Sequence, residues 1–221
     1  MGKYSEHSEY YYGDEEVASV TTILKVLNKP NLVKWANVLG FRRQSVDDVL
    51  EESSIVGTYV HTLLYAHLMK KDLIWCQQKH VTKSLLVPYI KNFRLWKENN
   101  VIEPIFMEKK FSCDRFGVTI DFYGLINGKK TILDFKTSKS FQMSMFLQLS
   151  AYKHMLELEN YEVEQVAIMR VNTDRIYIKT MTSEEVDKYF KLFNVLVDTF
   201  YTNCELEKEW KQSCQKRKIK L

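Results

Sequence analysis

Apolar side chains recur at helical spacing through the first hundred residues and at every second position in the strands that follow. Val56, Val60, Leu63, Leu64 and Leu68 mark a helix over 54–70, and Leu85, Tyr89, Phe93 and Trp96 mark another over 81–98. Ahead of them SVTTILKVL (19–27) predicts a short helix capped by Ser19 or Thr21. Asn28-Lys29-Pro30 breaks it. LVKWANVLG predicts a second helix, opened by Asn31 and closed by Gly40. Residues 1–18, a Tyr triplet among scattered acids, read as irregular. The period then drops to two. Strands are predicted at 104–111, 117–126 and 130–136, with Asn127-Gly128 as a two-residue hairpin turn. A helix over 142–158, a strand pair at 162–171 and 174–181, and a long final helix follow. Thr182 or Ser183 caps that helix, and Glu185 completes a capping box with Thr182. The order predicts a mixed α/β fold, its central sheet covered by helices.

Composition narrows this little. The 221 residues, 45% hydrophobic and 27% charged, suit one globular core, and seven Gly with three Pro leave no linker. The expected organisation is an irregular segment 1–18, a single domain 19–210 and a basic tail 211–221. No apolar run reaches the roughly 18–20 residues that span a bilayer. The polar, acidic start MGKYSEHSEYYYGDEE is not a signal peptide, so a cytoplasmic protein is expected. Cys76, Cys113, Cys204 and Cys214 form no C-x-x-C pair and read as reduced thiols, without the spacing of a zinc knuckle or an iron–sulfur site. The net charge of +4 is a weak pointer to nucleic acid. The tail KQSCQKRKIKL, five Lys or Arg and no acid, is either a solvated end or a phosphate-binding arm.

The chemistry concentrates in TILDFKTSKS (131–140). A strand alternates its faces, so Asp134 and Lys136 point the same way. A surface ion pair would explain that, and so would a metal site in which one group binds the ion and the other handles a water. A turn at Asn127-Gly128 places Asp121 opposite Asp134. Two carboxylates that close repel one another, and a hard divalent cation with oxygen ligands offsets the repulsion.

Asp121 followed by Asp134-Phe135-Lys136 resembles the D…(D/E)-x-K signature of the PD-(D/E)XK nuclease superfamily. Gly57-Thr58-Tyr59-Val60-His61 is similar to the G-[ST]-x-x-H helix start of its RecB-like branch, which includes phage exonucleases. Glu108 sits on the strand before the hairpin, where that branch often has a Glu. Gln148-Leu149-Ser150-Ala151-Tyr152 resembles its Q-x-x-x-Y helix. The entry phrase SVTTIL…KPNLVKWA is similar to that of the phage enzymes and of the mitochondrial genome maintenance exonucleases. Each motif alone is weak; their shared order over roughly 17–200 is the signal.

The resemblance implies a restriction-endonuclease-like core at 101–210 behind an N-terminal helical lobe at 19–100. It implies a metal-dependent DNA nuclease, an exonuclease on single strands or free ends, using one or two Mg2+ or Mn2+ ions. Asp121, Asp134, Lys136 and Glu108 would be catalytic. His61, Asp121, Asp134 and the Phe135 carbonyl would bind metal. Gln148, Tyr152, Thr137, Ser138 and Lys139 would meet DNA. Recombination or replication proteins of a phage or its host are the implied partners, and the Lys- and Tyr-rich chain is compatible with a phage or low-GC bacterial source.

Plainer readings stand beside each of these. His61 lies among apolar helix residues, where a histidine is more often a satisfied core group. Glu108 precedes Lys109 and Lys110 and could be a solvated edge residue. Gln148 and Tyr152 could be packing. Trp35, Tyr59, Trp75 and Trp96 could stack on bases, though most should be core. The rival functions are a non-catalytic nucleic-acid binder on a nuclease fold and a metal-free small-molecule enzyme with a chance D-x-K.

Overall fold

A computed structural model describes residues 9–27, 30–72 and 81–218, with the backbone alone at 30–31 and 215–218. Residues 1–8, the break at Asn28-Lys29, Trp75 and Cys76 lie outside the described residues.

Part of the segment expected to be irregular is ordered. Tyr10–Tyr12 (β1) and Glu15–Val17 (β2) form an antiparallel hairpin. Its turn passes through Gly13, whose φ of 60° favours glycine. Ser19 then caps α1, Val20–Ile23, accepting the Thr22 N–H at 3.1 Å, and a 3-10 turn continues over Leu24–Val26.

Helix α2 runs Pro30–Phe41, so Asn31 lies within it rather than ahead of it, and Gly40 does not end it. The left-handed residue after this helix is Arg43, with φ 54°. Helix α3, Val46–Met69, starts eight residues earlier than the apolar spacing suggests. The Ser45 cap and the acids Asp47 and Asp48 in its first turn account for the early start. Helix α4 follows at Lys83–Glu98.

The strands Ile102–Ser112 (β3), Gly117–Ile126 (β4), Lys129–Lys136 (β5), Gln165–Val171 (β6) and Ile176–Met181 (β7) make one sheet in the order β3-β4-β5-β6-β7. All neighbours are antiparallel except β5 and β6. That parallel pair needs a crossover, which α5, Met143–Leu158, supplies. Asn127 and Gly128 both have positive φ, 50° and 81°, as the hairpin turn requires. Helix α6, Ser183–Lys218, opens with the capping box: Thr182 N–H to Glu185 at 2.9 Å and Glu185 N–H to the Thr182 hydroxyl at 3.2 Å. It carries most of the expected basic tail as helix.

The sheet separates two cores. On one face Leu133, Phe135 and Met169 pack against Val60 and Leu64 of α3 and Phe93 of α4. On the other Ile120, Ile132 and Ile168 pack against α5 and α6 through Leu149, Met155, Phe193 and Val197. This is the mixed sheet flanked by helices that the sequence predicts. Among the described residues no helix is long and apolar enough to cross a membrane.

Candidate active site

The sheet is irregular in two places: β3 bulges between Pro104 and Phe106, and further along β3 and β4 the pleat inverts. In β4, Val118 and Ile120 face the α5–α6 core, yet Phe122 faces the α3–α4 core. In β3, Met107 and Phe111 likewise face opposite cores although both are odd-numbered. Residues of one parity share a face in a regular strand, so the pleat inverts at Asp121 on one strand and at Glu108 on its neighbour. Glu108 has φ 52°, an uncommon conformation for a residue with a Cβ and one that costs about 1–3 kcal/mol. Helix α3 brings His61 to the same spot from one face of the sheet, and α5 brings Gln148 and Tyr152 from the other.

The β4–β5 ladder runs from Ile126–Lys129 to Phe122–Leu133 and stops one residue short of Asp121 and Asp134. The two acids have different partners. Asp121 Oδ2 accepts the Phe135 N–H at 2.9 Å and lies 3.5 Å from His61 Nδ1. Asp134, almost fully buried, accepts from Lys136 Nζ through Oδ1 at 2.9 Å. The same ammonium lies 2.6 Å from Oδ2, so the ion pair reaches both carboxylate oxygens. Burial pushes the Asp134 carboxyl above the usual carboxylate range, against the pull of Lys136. Burial also works against the Lys136 charge, but Asp134 and Asp121 outweigh it and raise its pKa.

His61 Nε2 lies 2.9 Å from the Phe135 carbonyl, which turns Nδ1 toward Asp121 and toward Glu108 Oε1 at 3.8 Å. Burial opposes charge on the ring, yet Asp121 and Glu108 overcome it and carry the imidazole to about 9. Tyr152 accepts a hydrogen bond from the Gln148 amide. Burial, then the charges of Asp134 and Asp121, push its phenol well above its ordinary value, so it stays an O–H donor.

His61, Glu108 and Asp121 each offer a ligand atom, all within 4.8 Å of one another. Two ligands of an ion ~2.1 Å away sit roughly 3.0 Å apart at right angles and roughly 4.2 Å apart when opposite. The 3.5 and 3.8 Å separations fall in that range, so the set fits a small divalent cation. Asp134 and the Phe135 carbonyl stand beside this cluster; Glu108, expected from the resemblance as a catalytic acid that binds the ion directly or through water, stands within it.

Two clefts meet at Glu108. One, of about 530 Å³, is lined by Gly57, Thr58, His61, Thr62 and Tyr65. The other, of about 300 Å³, is lined by Tyr10, Ser19, Thr119, Asp121 and Tyr152. Gly117 at its wall has no room for a side chain, since a Cβ there would fall 2.1 Å from the Tyr10 ring. Thr137, Ser138 and Lys139 leave β5 directly after Lys136, and Thr137 Oγ1 lies 3.5 Å from where a Gly57 Cβ would stand. Of the aromatics offered as base platforms, Trp96 stacks on Phe93 in the core, while Tyr59 and Trp35 are half-buried.

One residue near the site went unremarked in the sequence. Arg170 on β6 pairs in register with Lys136 and is buried, with its guanidinium on the loop after β5. An arginine inside the apolar run VAIMRV was a visible signal, because a buried charge needs built partners.

No protein-family model and no curated protein matches the chain. Among solved structures it is similar to an alkaline exonuclease from Laribacter hongkongensis, at 11% identity and a TM-score of 0.44, over 90% of this chain and 94% of that one. It is also similar to SSO0001, at 15% identity and a TM-score of 0.36, over 84% of this chain and 79% of that one.

Proposed function

We propose that the protein is a metal-dependent deoxyribonuclease, an exonuclease that hydrolyses phosphodiester bonds of single-stranded DNA or DNA ends with Mg2+ or Mn2+. The observation that carries the reading is the His61–Glu108–Asp121 cluster, set beside the buried Asp134–Lys136 pair where two clefts meet. The ordered motifs that resemble the PD-(D/E)XK nucleases point the same way. Action in replication, recombination or repair, and a cytoplasmic location, belong to this proposal.

His61, Glu108 and Asp121 would hold the ion, and Asp134 and the Phe135 carbonyl are the neighbouring oxygen donors that could join them. Such an ion supplies charge neutralisation on the phosphate and a readily deprotonated water. Without it, the carboxylates at this site would repel a phosphodiester. Lys136 is fixed by Asp134, so its ammonium has one place to be, at the end of β5. There it would orient the attacking water and stabilise charge on the phosphoryl oxygens. Tyr152, kept protonated, would donate to a phosphate or to a ligand carboxylate.

Labelled single- and double-stranded oligonucleotides are digested with Mg2+ or Mn2+ by the wild type and by Asp134→Ala. The variant should lose cleavage by about 10³-fold or more, because the lysine loses its anchor and the site an acid. Equal activity in both proteins refutes the reading, and binding without cleavage by the wild type supports the non-catalytic alternative. Mononucleotide release that stops on end-blocked substrates marks an exonuclease.

A further inference from the structure

Arg170 is only 7% exposed, and among the described residues no carboxylate pairs with it. Its charge is met by carbonyl oxygens and aromatic faces. Nε donates to the Ser138 carbonyl at 2.9 Å, and a terminal nitrogen donates to the Lys139 carbonyl. The guanidinium carbon lies 4.8 Å from the centre of the Phe141 ring and 4.7 Å from that of Tyr177. In the amide orientation that satisfies its neighbours, Asn172 donates to the Thr137 carbonyl at 3.2 Å and accepts from Arg170 at 3.0 Å.

Three successive carbonyls, those of Thr137, Ser138 and Lys139, are thus drawn inward onto β6 and its end. No peptide bond of the described chain is cis. In a trans peptide the C=O of one residue and the N–H of the next point in opposite directions. The N–H groups of Ser138, Lys139 and Ser140 are therefore turned outward, and among the described residues none of them has an acceptor. The chain bends at Lys139 and Ser140, and successive N–H groups on such a turned segment can converge on an anion. Here the buried cation lies directly behind them, and the segment begins one residue after Lys136.

We propose that the 137–140 loop is a phosphate site built from backbone. The N–H groups of Ser138, Lys139 and Ser140 receive a phosphate of the bound strand next to the one being cut, and Arg170 is the positioning residue that holds them outward. The ligand class is a phosphodiester or terminal phosphate. The choice of strand substrate rests on the nuclease reading above; the anion site does not. Backbone donors touch no base, so the site fixes register without sequence preference.

The test is a titration of the metal-free, 15N-labelled full chain with inorganic phosphate in EDTA. The Ser138, Lys139 and Ser140 amide resonances should move downfield and saturate. In Arg170→Gln the affinity read at these amides should fall roughly 10-fold or more, the usual scale for charge-assisted hydrogen bonds, and Arg170→Lys should lie between. With DNA and Mn2+, Arg170→Gln should raise KM by about the same factor and leave kcat within roughly 2-fold, a split that general destabilisation would not give. If Arg170→Gln does not fold, Lys139→Pro removes one of the three donors at an exposed position and should weaken phosphate binding likewise. Amides that ignore phosphate in the wild type, or respond equally in a folded Arg170→Gln or Lys139→Pro, overturn the proposal. A wild type that cleaves DNA while these amides stay silent loses only the loop site. One that binds phosphate here but never cleaves loses only the nuclease reading.

Discussion

The β4–β5 hairpin has two ends that obey different rules. At the turn end Asn127 and Gly128 adopt the left-handed conformations their types favour. There Asn127 N–H bonds the Val101 carbonyl at 2.8 Å, and Val101 N–H bonds Asn127 Oδ1 at 2.9 Å. At the other end the pleat inverts at Asp121 of β4, and beside it Glu108 of the neighbouring β3 holds a left-handed conformation that suits its type poorly. Both ends lie in one sheet, so strand stability alone cannot explain the difference. Local violations held in place by a well-made remainder are characteristic of sites that do chemistry.

The largest expected effect comes from breaking the irregular end. Asp121→Asn keeps a carbonyl oxygen that can accept the Phe135 N–H, so the fold should persist. It removes one charge from a crowded set of acids and one ligand from the cluster. Metal-dependent cleavage should fall by about 10³-fold or more, while the melting temperature falls only modestly, by the share of the His61 pairing that Asp121 supplies. Cleavage assays and thermal melts of the same preparation check both halves. A stability loss matching the activity loss would mean that the irregular end is structural after all.

The contrast also governs what could be read in the sequence. The turn end was legible because Asn127-Gly128 is a local signal flanked by alternating residues. The Thr182–Glu185 capping box was legible for the same reason. Asp121, Asp134, Lys136 and His61 were picked out by motif order, but their partners were not. Whether Glu108 and Asp121 meet His61 depends on an inversion of the pleat on β3 and β4. A period-2 pattern assumes that no such inversion occurs. The early start of α3 was legible in Ser45, Asp47 and Asp48, capping and dipole signals, and in Val46, Val49 and Leu50 at helical spacing. The β1–β2 hairpin was masked by its acids, although Gly13 between two short Tyr- and Val-bearing runs was a turn signal. The Arg170 clamp was out of reach in detail, because it joins β6 to a loop some 30 residues earlier through backbone carbonyls, which carry no sequence signature.

The second prediction uses the proton that the cluster attracts. His61 is raised from 6.5 to about 9, and its side chain is 27% exposed. A raised pKa means that the folded, metal-free protein holds this proton more tightly than the unfolded chain. That stabilisation is complete below pH 6.5 and is lost as pH rises through about 9. In EDTA, stability should therefore fall by about 2–3 kcal/mol across this window. His61→Asn should flatten the decline. Cation binding has to displace the same proton, so apparent Mn2+ affinity should rise by up to about 10-fold per pH unit from 7 toward 9 and then level off. Urea melts and calorimetry at several pH values read the two slopes. Slopes of the same sign would show that proton and ion do not compete, and the cluster would not be a metal site.

The smallest effect is expected at the orderly end, where it serves as the control. Gly128 has φ 81°, and Gly128→Val places a β-branched side chain in a conformation it resists. The cost should be about 1–2 kcal/mol, read as a lower midpoint of urea unfolding with the slope unchanged. Asp121 lies seven residues up β4, roughly 20 Å away at the rise of an extended strand. At that distance, with the ladder between them intact, kcat should not change. If it falls along with stability, strain at the turn reaches the cluster through the strands, and the two ends are one cooperative device rather than a scaffold and a site.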